Sequence, residues 1–286
     1  METTNKKSKT KTPPDESQRQ MEESILRGRM GDIGQKLLVL SGKGGVGKST
    51  VAVNLAVALA RAGWAVGLLD VDIHGPSIPK LMGLEGRRAG SDGRAILPIE
   101  LTDNLKVMSI GLMLQSTAEA VIWRGPLKYK VIRQFLQDVD WGPLDALVID
   151  SPPGTGDEPL SVAQLVGTPA WGIIVTTPQE VAIADVRRCI SFCQKLMLPV
   201  AGIIENMSGF VCPHCGKTTD LFKSGGGEDL AGETNVPFLG RIPLDPQIVS
   251  CGDLGKPFIK AQPKNQTTEA FDRVVKSILD GCIQKG

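Results

Sequence analysis

The feature that most constrains the fold of this chain of 286 residues is a glycine-rich segment, GKGGVGKST, at residues 42–50. An apolar run typical of a buried strand, KLLVL, ends at residue 40, and the apolar helical pattern TVAVNLAVALARAG begins at residue 50. A strand, a glycine-rich turn and a helix in this order predict a phosphate-binding loop, because glycines let backbone N–H groups curl around phosphates. The candidate nucleotide-binding residues of the loop are Gly42, Lys43, Gly44, Gly45, Val46, Gly47, Lys48, Ser49 and Thr50.

The chemistry of this loop predicts a P-loop ATPase that uses ATP and Mg²⁺. The segment from Gly42 to Ser49 matches the pattern G-x-x-x-x-G-K-S. In this pattern Lys48 neutralises the β and γ oxygens of the nucleotide, and the Ser49 hydroxyl binds Mg²⁺ at the positive end of the following helix. The alternative is a glycine-rich turn without a ligand, and the flanking strand and helix argue against it.

Four further apolar runs indicate the fold class. They are AVGLLD (65–70), DALVID (145–150), GIIVTT (172–177) and VAGIIEN (200–206). Strands that are apolar almost throughout and alternate with helices are typical of a parallel sheet that is covered on both faces. We therefore predict an α/β fold of the P-loop NTPase type, with a mostly parallel twisted sheet and helices on both faces. Functional loops in such sheets follow the carboxyl ends of the strands.

Acidic residues end two of the predicted strands. Asp150 precedes the turn SPPG and suits a water-mediated contact to Mg²⁺, and Gly154 in that turn would let a backbone N–H approach the γ-phosphate. Asp70 and Asp72 follow another strand. Asp72 is the candidate that orients the attacking water, and Asp70 the candidate that holds Lys48 or the Mg²⁺ shell. The alternative for one of the pair is a cap on the next turn.

Charge and composition argue against several kinds of partner. The formal net charge is +1, which offers no basic footprint for nucleic acid or an anionic membrane. No apolar run reaches the roughly 20 residues that span a bilayer. Residues 1–30 are predicted to be a disordered or partly helical tail, and residues 31–286 a P-loop ATPase domain with a cysteine loop at 210–227. The use of ATP predicts a cytoplasmic location.

Six cysteines are present, and two of them, Cys212 and Cys215, form a C-x-x-C pair in the turn CPHCG. In a reducing compartment this spacing suits Zn²⁺ or an iron–sulfur cluster better than a structural disulfide. Two thiolates are half a site, so either two chains pair across a two-fold axis or a second pair completes the set. A thioredoxin-like redox turn is a further alternative, but the βαβ start of that motif is missing. The other cysteines are expected to be buried hydrophobic residues: Cys189, Cys193, Cys251 and Cys282.

The second lysine of the loop, Lys43, is the signature of the deviant Walker A ATPases, the MinD and ParA class, whose members form nucleotide sandwich dimers. Further motifs lie over almost all of residues 35–280: DVDIHGPSIPKLMG, WRGP, DSPPGTGDEPL, TTPQEVAIADVRR, GIIENMSGFVCPHCG and VPFLGRIPLDP. On these motifs the chain closely resembles, within that class, the Mrp/ApbC/Nbp group of iron–sulfur cluster carrier ATPases. Many eukaryotic relatives carry four cysteines before the loop, whereas the first 41 residues here hold none.

The resemblance implies roles for individual residues. Lys43 is expected to cross a dimer interface to the other subunit's phosphate, as an arginine finger does. The candidate catalytic residues are then Lys43, Lys48 and Asp72. Asn206 is expected to bind the adenine through its amide, with Ile242 and Pro243 beside the base.

The function that the resemblance implies is ATP-dependent carriage of an iron–sulfur cluster. A homodimer would hold a 4Fe-4S cluster between the Cys212 and Cys215 pairs of its two protomers and hand it to apo-proteins. One alternative is a spatial organiser of the MinD or ParA type, which needs a membrane-binding helix or a basic face; the C-terminal segment TTEAFDRVVKSILDGCIQKG has only the amphipathicity of a packing helix. The other alternative is a dimer bridged by structural zinc.

Overall fold

Nine of the strands that the structure describes form one sheet, and two short strands pair separately. The structure is a computed structural model that describes residues 16–113, 125–212, 215 and 217–281. The strands are β1 (Ile33–Leu40), β2 (Val66–Asp70), β3 (Gly90–Ser91), β4 (Ile96–Leu97), β5 (Ile99–Thr102), β6 (Leu105–Ser109), β7 (Leu144–Asp150), β8 (Ala170–Thr176), β9 (Val200–Val211), β10 (Thr218–Thr219) and β11 (Phe238–Leu244).

The large sheet is parallel except at its two ends. Its strand order is β10-β9-β8-β1-β7-β2-β6-β5, and β11 pairs with β9. The pairings of β10 with β9 and of β5 with β6 are antiparallel, and the other pairings in this sheet are parallel. The predicted α/β fold with a mostly parallel sheet is therefore confirmed.

Helices cover both faces of this sheet because its central strands are apolar on both sides. In β1, Leu37 and Val39 belong to one core cluster, whereas Leu38 and Leu40 belong to the other. Neighbouring side chains of a strand point to opposite faces, which explains why the whole strand is apolar. The helices are α1 (Glu16–Gly31), α2 (Lys48–Arg61), α3 (Ile78–Leu81), α4 (Gly125–Asp138), α5 (Asp157–Leu165), α6 (Glu180–Lys195), α7 (Gly226–Thr234), α8 (Pro246–Asp253), α9 (Phe258–Ala261) and α10 (Gln266–Gly281).

Helices α2 and α10 fill the first of these two core layers. Val51 and Leu55 of α2 are buried, as are Phe271 and Ile278 of α10. Helix α10 packs against α2 and β11, so the C-terminal segment buries its apolar face as a packing helix. None of the helices in the described ranges is long and apolar enough to cross a membrane.

Helix α1 places the start of the folded body before the predicted boundary at residue 31. The sequence predicts a disordered or partly helical tail up to residue 30, and the described part of that segment lies in a continuous helix, Glu16–Gly31. Leu26 and Met30 are buried in the second core layer, and burial of such side chains stabilises a helix. Residues 1–15 lie outside the described residues, as do the first two residues of the WRGP motif.

The segment 210–227 is more regular than the predicted loop. Strand β9 continues to Val211, β10 pairs back onto it in antiparallel register, and α7 begins at Gly226. Cys212 and Cys215 therefore lie between the two strands of a β-hairpin at the end of the sheet. We call the segment from residue 206 to residue 224 the cysteine hairpin.

Candidate nucleotide site and cysteine hairpin

The phosphate-binding loop joins β1 to α2 at the carboxyl ends of the parallel strands. Gly45 and Gly47 have φ values of 80° and 82°, in the left-handed region that favours glycine. A β-carbon at Gly42 would lie 2.5 Å from backbone atoms of Asp185, so a larger residue does not fit there. Helix α2 begins at Lys48, and the positive end of its dipole therefore faces the loop.

Lys48 and Asp150 form a buried ion pair in this site. Lys48 Nζ lies 2.5 Å from Asp150 Oδ1, and the two side chains are 7% and 0% exposed. Burial raises the pKa of Asp150, and the Lys48 ammonium opposes that rise. The second carboxylate oxygen, Oδ2, is buried and has no hydrogen-bond donor among the described residues. Such an acceptor is suited to a ligand that the chain itself does not supply.

The residues around Asp150 fit Mg²⁺, which prefers oxygen ligands and keeps several waters. Asp150 Oδ2 and the Ser49 hydroxyl are the oxygens that would hold the ion or its waters, and Ser49 lies in the first turn of α2. When bound, Mg²⁺ neutralises charge on the β- and γ-phosphates. The roles assigned to Ser49 and Asp150 stay predictions.

Asp70 lies beside Asp150 but forms no ion pair with Lys48, which pairs with Asp150 instead. The two aspartates are register partners on β2 and β7. Asp70 is fully buried and accepts hydrogen bonds from the Ser109 hydroxyl, from the N–H of Asp72 and from the N–H of Ile78 at the start of α3. Burial and the Asp150 charge raise the pKa of Asp70 to about 8. Asp70 therefore does not hold Lys48 in this structure. Its predicted role in the Mg²⁺ shell stays a prediction.

Asp72 caps the turn that follows β2. Its Oδ1 accepts hydrogen bonds from the backbone N–H groups of His74 and Gly75, both at 3.2 Å. This is the turn-capping role that the sequence leaves open as the alternative. A carboxylate has a second oxygen, so capping is compatible with orienting a water, and the catalytic role of Asp72 stays a prediction.

Gly154 and Lys43 are also expected near the phosphates, and both form a hydrogen bond with Ser41, the residue that follows β1. The N–H of Gly154 donates to the Ser41 carbonyl at 2.8 Å, so it reaches a phosphate only after this bond breaks. The Ser41 hydroxyl in turn donates to the Lys43 carbonyl at 2.9 Å. Lys43 is half-buried at the start of the loop. Its action across a dimer interface stays a prediction.

A cavity of about 260 Å³ lies beside the phosphate-binding loop, and Asn206 and Pro243 are among the residues that line it. Asn206 Nδ2 donates to the Val46 carbonyl at 2.9 Å, and it fills the space that a β-carbon at Gly47 would need. Ile242, also expected beside the base, is fully buried in the core and does not line this cavity. Neighbouring residues of β11 point to opposite faces, which explains the difference.

Cys212 and Cys215 lie at the tip of the cysteine hairpin. The Cys212 N–H donates to the Lys217 carbonyl at 3.0 Å, which closes the turn. Cys215 is exposed and Cys212 is half-buried. The other residues of the turn, Pro213, His214 and Gly216, lie outside the described residues. Within the described ranges no group of three or more His, Cys, Asp or Glu side chains could hold a metal ion.

The remaining described cysteines are core residues, as the sequence predicts. Cys189 and Cys193 are fully buried on α6, and Cys251 is buried in the other core layer. A hydrogen bond with the Cys193 thiol and burial raise the pKa of Cys189, which disfavours a thiolate there, whereas the same hydrogen bond lowers the pKa of Cys193. Cys282 lies outside the described residues.

Glu205 is a buried residue of the site that the sequence analysis does not single out. It is 0% exposed on β9, directly before Asn206. Its carboxylate accepts hydrogen bonds from the Ser208 hydroxyl and from the N–H groups of Gly225 and Gly227. A charged residue inside the apolar run VAGIIEN is the sequence signal that points to it, because a buried charge needs such partners.

Comparison with known proteins identifies the family. The family described as ParA, NUBPL iron-transfer P-loop NTPase, matches residues 32–279. The chain belongs to this family. Its membership confirms the P-loop NTPase prediction and the resemblance to the iron–sulfur carrier ATPases that the sequence motifs indicate.

Relatives in this family match nearly the whole chain. A cytosolic Fe-S cluster assembly factor NUBP2 of Gallus gallus is 46% identical over 270 residues, which cover 93% of this chain and 99% of that protein. An iron-sulfur cluster carrier protein of Methanocaldococcus jannaschii is 50% identical over 259 residues, which cover 91% of this chain and 89% of that protein.

Solved structures agree with the fold. A nucleotide-binding protein of Archaeoglobus fulgidus in complex with ADP has 40% identity and a TM-score of 0.75, over 87% of this chain and 96% of that one. The cell division ATPase MinD of Pyrococcus furiosus has 24% identity and a TM-score of 0.63, over 86% and 99% of the two chains. At that identity the likeness to MinD shows the shared fold alone.

Proposed function

We propose that this chain is an ATP-dependent carrier that binds an iron–sulfur cluster and transfers it to apo-proteins. The observation that carries the proposal is the position of Cys212 and Cys215, at the exposed end of a hairpin whose first strand also holds Asn206 against the phosphate-binding loop. One strand thus connects a nucleotide site with a thiolate pair. The names of the two relatives, an assembly factor and a carrier, support the same function, and the first supports a cytosolic location.

A homodimer would supply the full set of cluster ligands. A 4Fe-4S cluster takes four cysteine ligands, and Cys212 and Cys215 provide two. Among the described residues, no His, Cys, Asp or Glu side chain joins this pair to form a group of three that could hold a metal ion. Two hairpin tips that face each other across a two-fold axis would complete the set, and the exposure of Cys215 makes its thiol accessible to a second chain.

Charge compensation is the chemistry that the nucleotide site would contribute. Asp150 holds the Lys48 ammonium inside the site, and this charge would turn to the β and γ oxygens of ATP. The amide of Asn206, with one hydrogen bonded to Val46, would use its other polar atoms on the adenine. Asp72 would orient the attacking water, and Lys43 would add a positive charge across the dimer interface.

Anaerobic reconstitution with iron and sulfide tests the cluster site. The double variant Cys212→Ser/Cys215→Ser should lose bound iron and the visible iron–sulfur absorbance, and it should keep the parent's ATP affinity. The matched control Cys189→Ala/Cys193→Ala also removes two thiols, but both are buried in the core, so it should keep the cluster. Full absorbance in the first variant would contradict the proposal.

The same cysteine pair also favours a second candidate, a dimer bridged by structural zinc. Metal and acid-labile sulfide analysis after anaerobic purification separates the two candidates. Iron with matching sulfide supports the carrier, whereas zinc without sulfide supports the bridge.

The apolar face of α10 is buried against α2 and β11, which argues against a membrane-binding organiser that would use this helix.

A further inference from the structure

Glu205 joins the two ends of the cysteine hairpin. Its Oε1 accepts a hydrogen bond from the Ser208 hydroxyl at 2.5 Å, at the start of the hairpin, and another from the Gly225 N–H at 2.9 Å, just after its end. Its Oε2 accepts from the Gly227 N–H at 2.5 Å. A fully buried carboxylate needs such donors, because an unpaired buried charge is costly. One side chain therefore holds the base of the hairpin.

Further contacts confine this base. The hydroxyls of Ser208 and Ser224 lie 3.3 Å apart across it, and Arg241 Nε lies 3.4 Å from Glu205 Oε1. A β-carbon at Gly227 would lie 3.1 Å from Glu205 Oε2, so the start of α7 packs directly on the carboxylate. Glu205 is thereby enclosed by β9, β11 and α7, so a displacement of the hairpin base would break or shift its contacts.

The residue next to Glu205 holds the phosphate-binding loop. Asn206 bonds the Val46 carbonyl and occupies the space beside Gly47. Met207, which follows, has a φ of 56°, a left-handed conformation that is uncommon outside glycine, and it lines the cavity expected for the adenine. Backbone strain of this kind persists where the surrounding contacts impose it, often at functional sites. A shift of Val46 would therefore displace Asn206 and the residues bonded to Glu205.

We propose that Glu205 is a positioning residue that couples nucleotide binding to the geometry of the Cys212 and Cys215 pair within one chain. The inference rests on the proposed function, in which the nucleotide controls a bound cluster. It adds a connection that does not cross the dimer interface and that runs from Val46 through Asn206 and Glu205 to the hairpin base. Such coupling is measured as a change at one site when the other site binds its ligand.

Alkylation of Cys212 and Cys215 by iodoacetamide measures this coupling without any cluster. The full chain, at a concentration where light scattering shows a monomer, is alkylated with and without a non-hydrolysable ATP analogue and Mg²⁺, and the rates are obtained by peptide mass spectrometry. In the parent protein we expect the nucleotide to change the rate about five-fold. Glu205→Gln replaces an acceptor oxygen by a donor that faces backbone N–H groups, so at a saturating concentration of the analogue it should lose most of the response.

Glu228→Gln is the matched control. Glu228 also pairs with Arg241, but it is exposed and bonds neither end of the hairpin, so this variant should keep the full response. Ser208→Ala removes one of the bonds to Glu205 and should lose part of the response, which provides a test even if Glu205→Gln fails to fold. A parent protein without a nucleotide response, or a full response in both Glu205→Gln and Ser208→Ala, would overturn the proposal. A parent that responds but binds no cluster would instead contradict the proposed function and support the coupling.

Discussion

The ammonium group of Lys48 faces a fully buried carboxylate, that of Asp150, at 2.5 Å. A buried ion pair is costly to break from one side, because the remaining charge has neither solvent nor a counterion. The same lysine neutralises the nucleotide phosphates in a P-loop NTPase. A substitution at this single residue should therefore change both stability and nucleotide binding.

We predict that Lys48→Ala abolishes ATP hydrolysis and cluster transfer and lowers the free energy of unfolding by about 3–5 kcal/mol, the cost of an unpaired buried charge. Chemical denaturation and calorimetric titration with ATP measure the two effects. Adding Asp150→Asn should recover part of the stability and none of the ATP affinity. Lys276→Ala, at an exposed position of α10, should change neither. Hydrolysis at the parent rate in Lys48→Ala would mean that the loop is wrongly assigned.

The buried carboxyl group of Asp70 makes stability depend on pH. Burial and the Asp150 charge raise its pKa from 3.8 to about 8, so the folded protein holds a proton that the unfolded chain releases. A carboxyl group whose pKa is raised on folding contributes its full stability at a pH below its pKa in the unfolded state. This stability is lost as the pH rises through its pKa in the folded state. The relevant window for this residue therefore runs from 3.8 to about 8.

We predict that Asp70→Asn, which cannot ionise, gains stability relative to the parent as the pH rises. The gain should approach about 1.4 kcal/mol per pH unit between about pH 5 and about pH 8. The hydrogen bonds that asparagine makes less well cost the same at every pH, so they do not alter this slope. Denaturation of both proteins without nucleotide and with EDTA gives the difference, and a difference that is constant with pH would show that Asp70 stays ionised.

Among the elements, α1 shows how packing overrides composition. Its sequence, ESQRQMEESILRGRMG, is mostly polar and by itself favours an exposed tail. Leu26 and Met30 are four residues apart and therefore share one face of the helix, which is buried in the core. A helix of this kind is stabilised by tertiary packing more than by propensity.

We predict that Met30→Ala lowers the free energy of unfolding by about 2–3 kcal/mol, because it removes buried apolar surface and leaves a cavity. Met21→Ala is the control, since Met21 lies on the same helix and is 67% exposed. That substitution should cost less than about 0.5 kcal/mol. Urea denaturation measures both, and equal small effects would show that α1 does not pack in solution.

In the molecule as a whole, the nucleotide site and the cysteine hairpin lie at the same edge of the sheet. Strand β9 holds the phosphate-binding loop through Asn206 and continues toward Cys212 at the hairpin tip. A dimer that faces this edge across a two-fold axis would bring both sites to one interface. Lys43, at the start of the loop, would then act on the other subunit's nucleotide.

We predict that Lys43→Ala binds nucleotide as the parent does but hydrolyses it about 10³-fold more slowly, the lower end of the effect of a charge supplied in trans. The measurement is ATPase specific activity against protein concentration, together with equilibrium binding. Parent activity should rise with concentration as dimers form. Activity independent of concentration, or undiminished turnover in Lys43→Ala, would exclude the action across the interface.

The sequence by itself determined the features that depend on chain order. The segment 42–50 is a local unit in which strand, glycine turn and helix follow one another, so its spacing alone identifies a phosphate site. Apolar runs that end in Asp70 and Asp150 indicate buried parallel strands whose carboxyl ends share one edge. The motifs spread over residues 35–280 were sufficient for the family.

Only the tertiary structure decided which distant groups meet. It pairs Lys48 with Asp150 rather than Asp70, and it turns Ile242 into the core while Pro243 lines the cavity. It also reveals Glu205, whose donors at the far end of the hairpin are about twenty residues away along the chain. The physical reason is that a strand sequence defines two faces but not their neighbours, and burial and charge pairing depend on the surfaces that packing brings together.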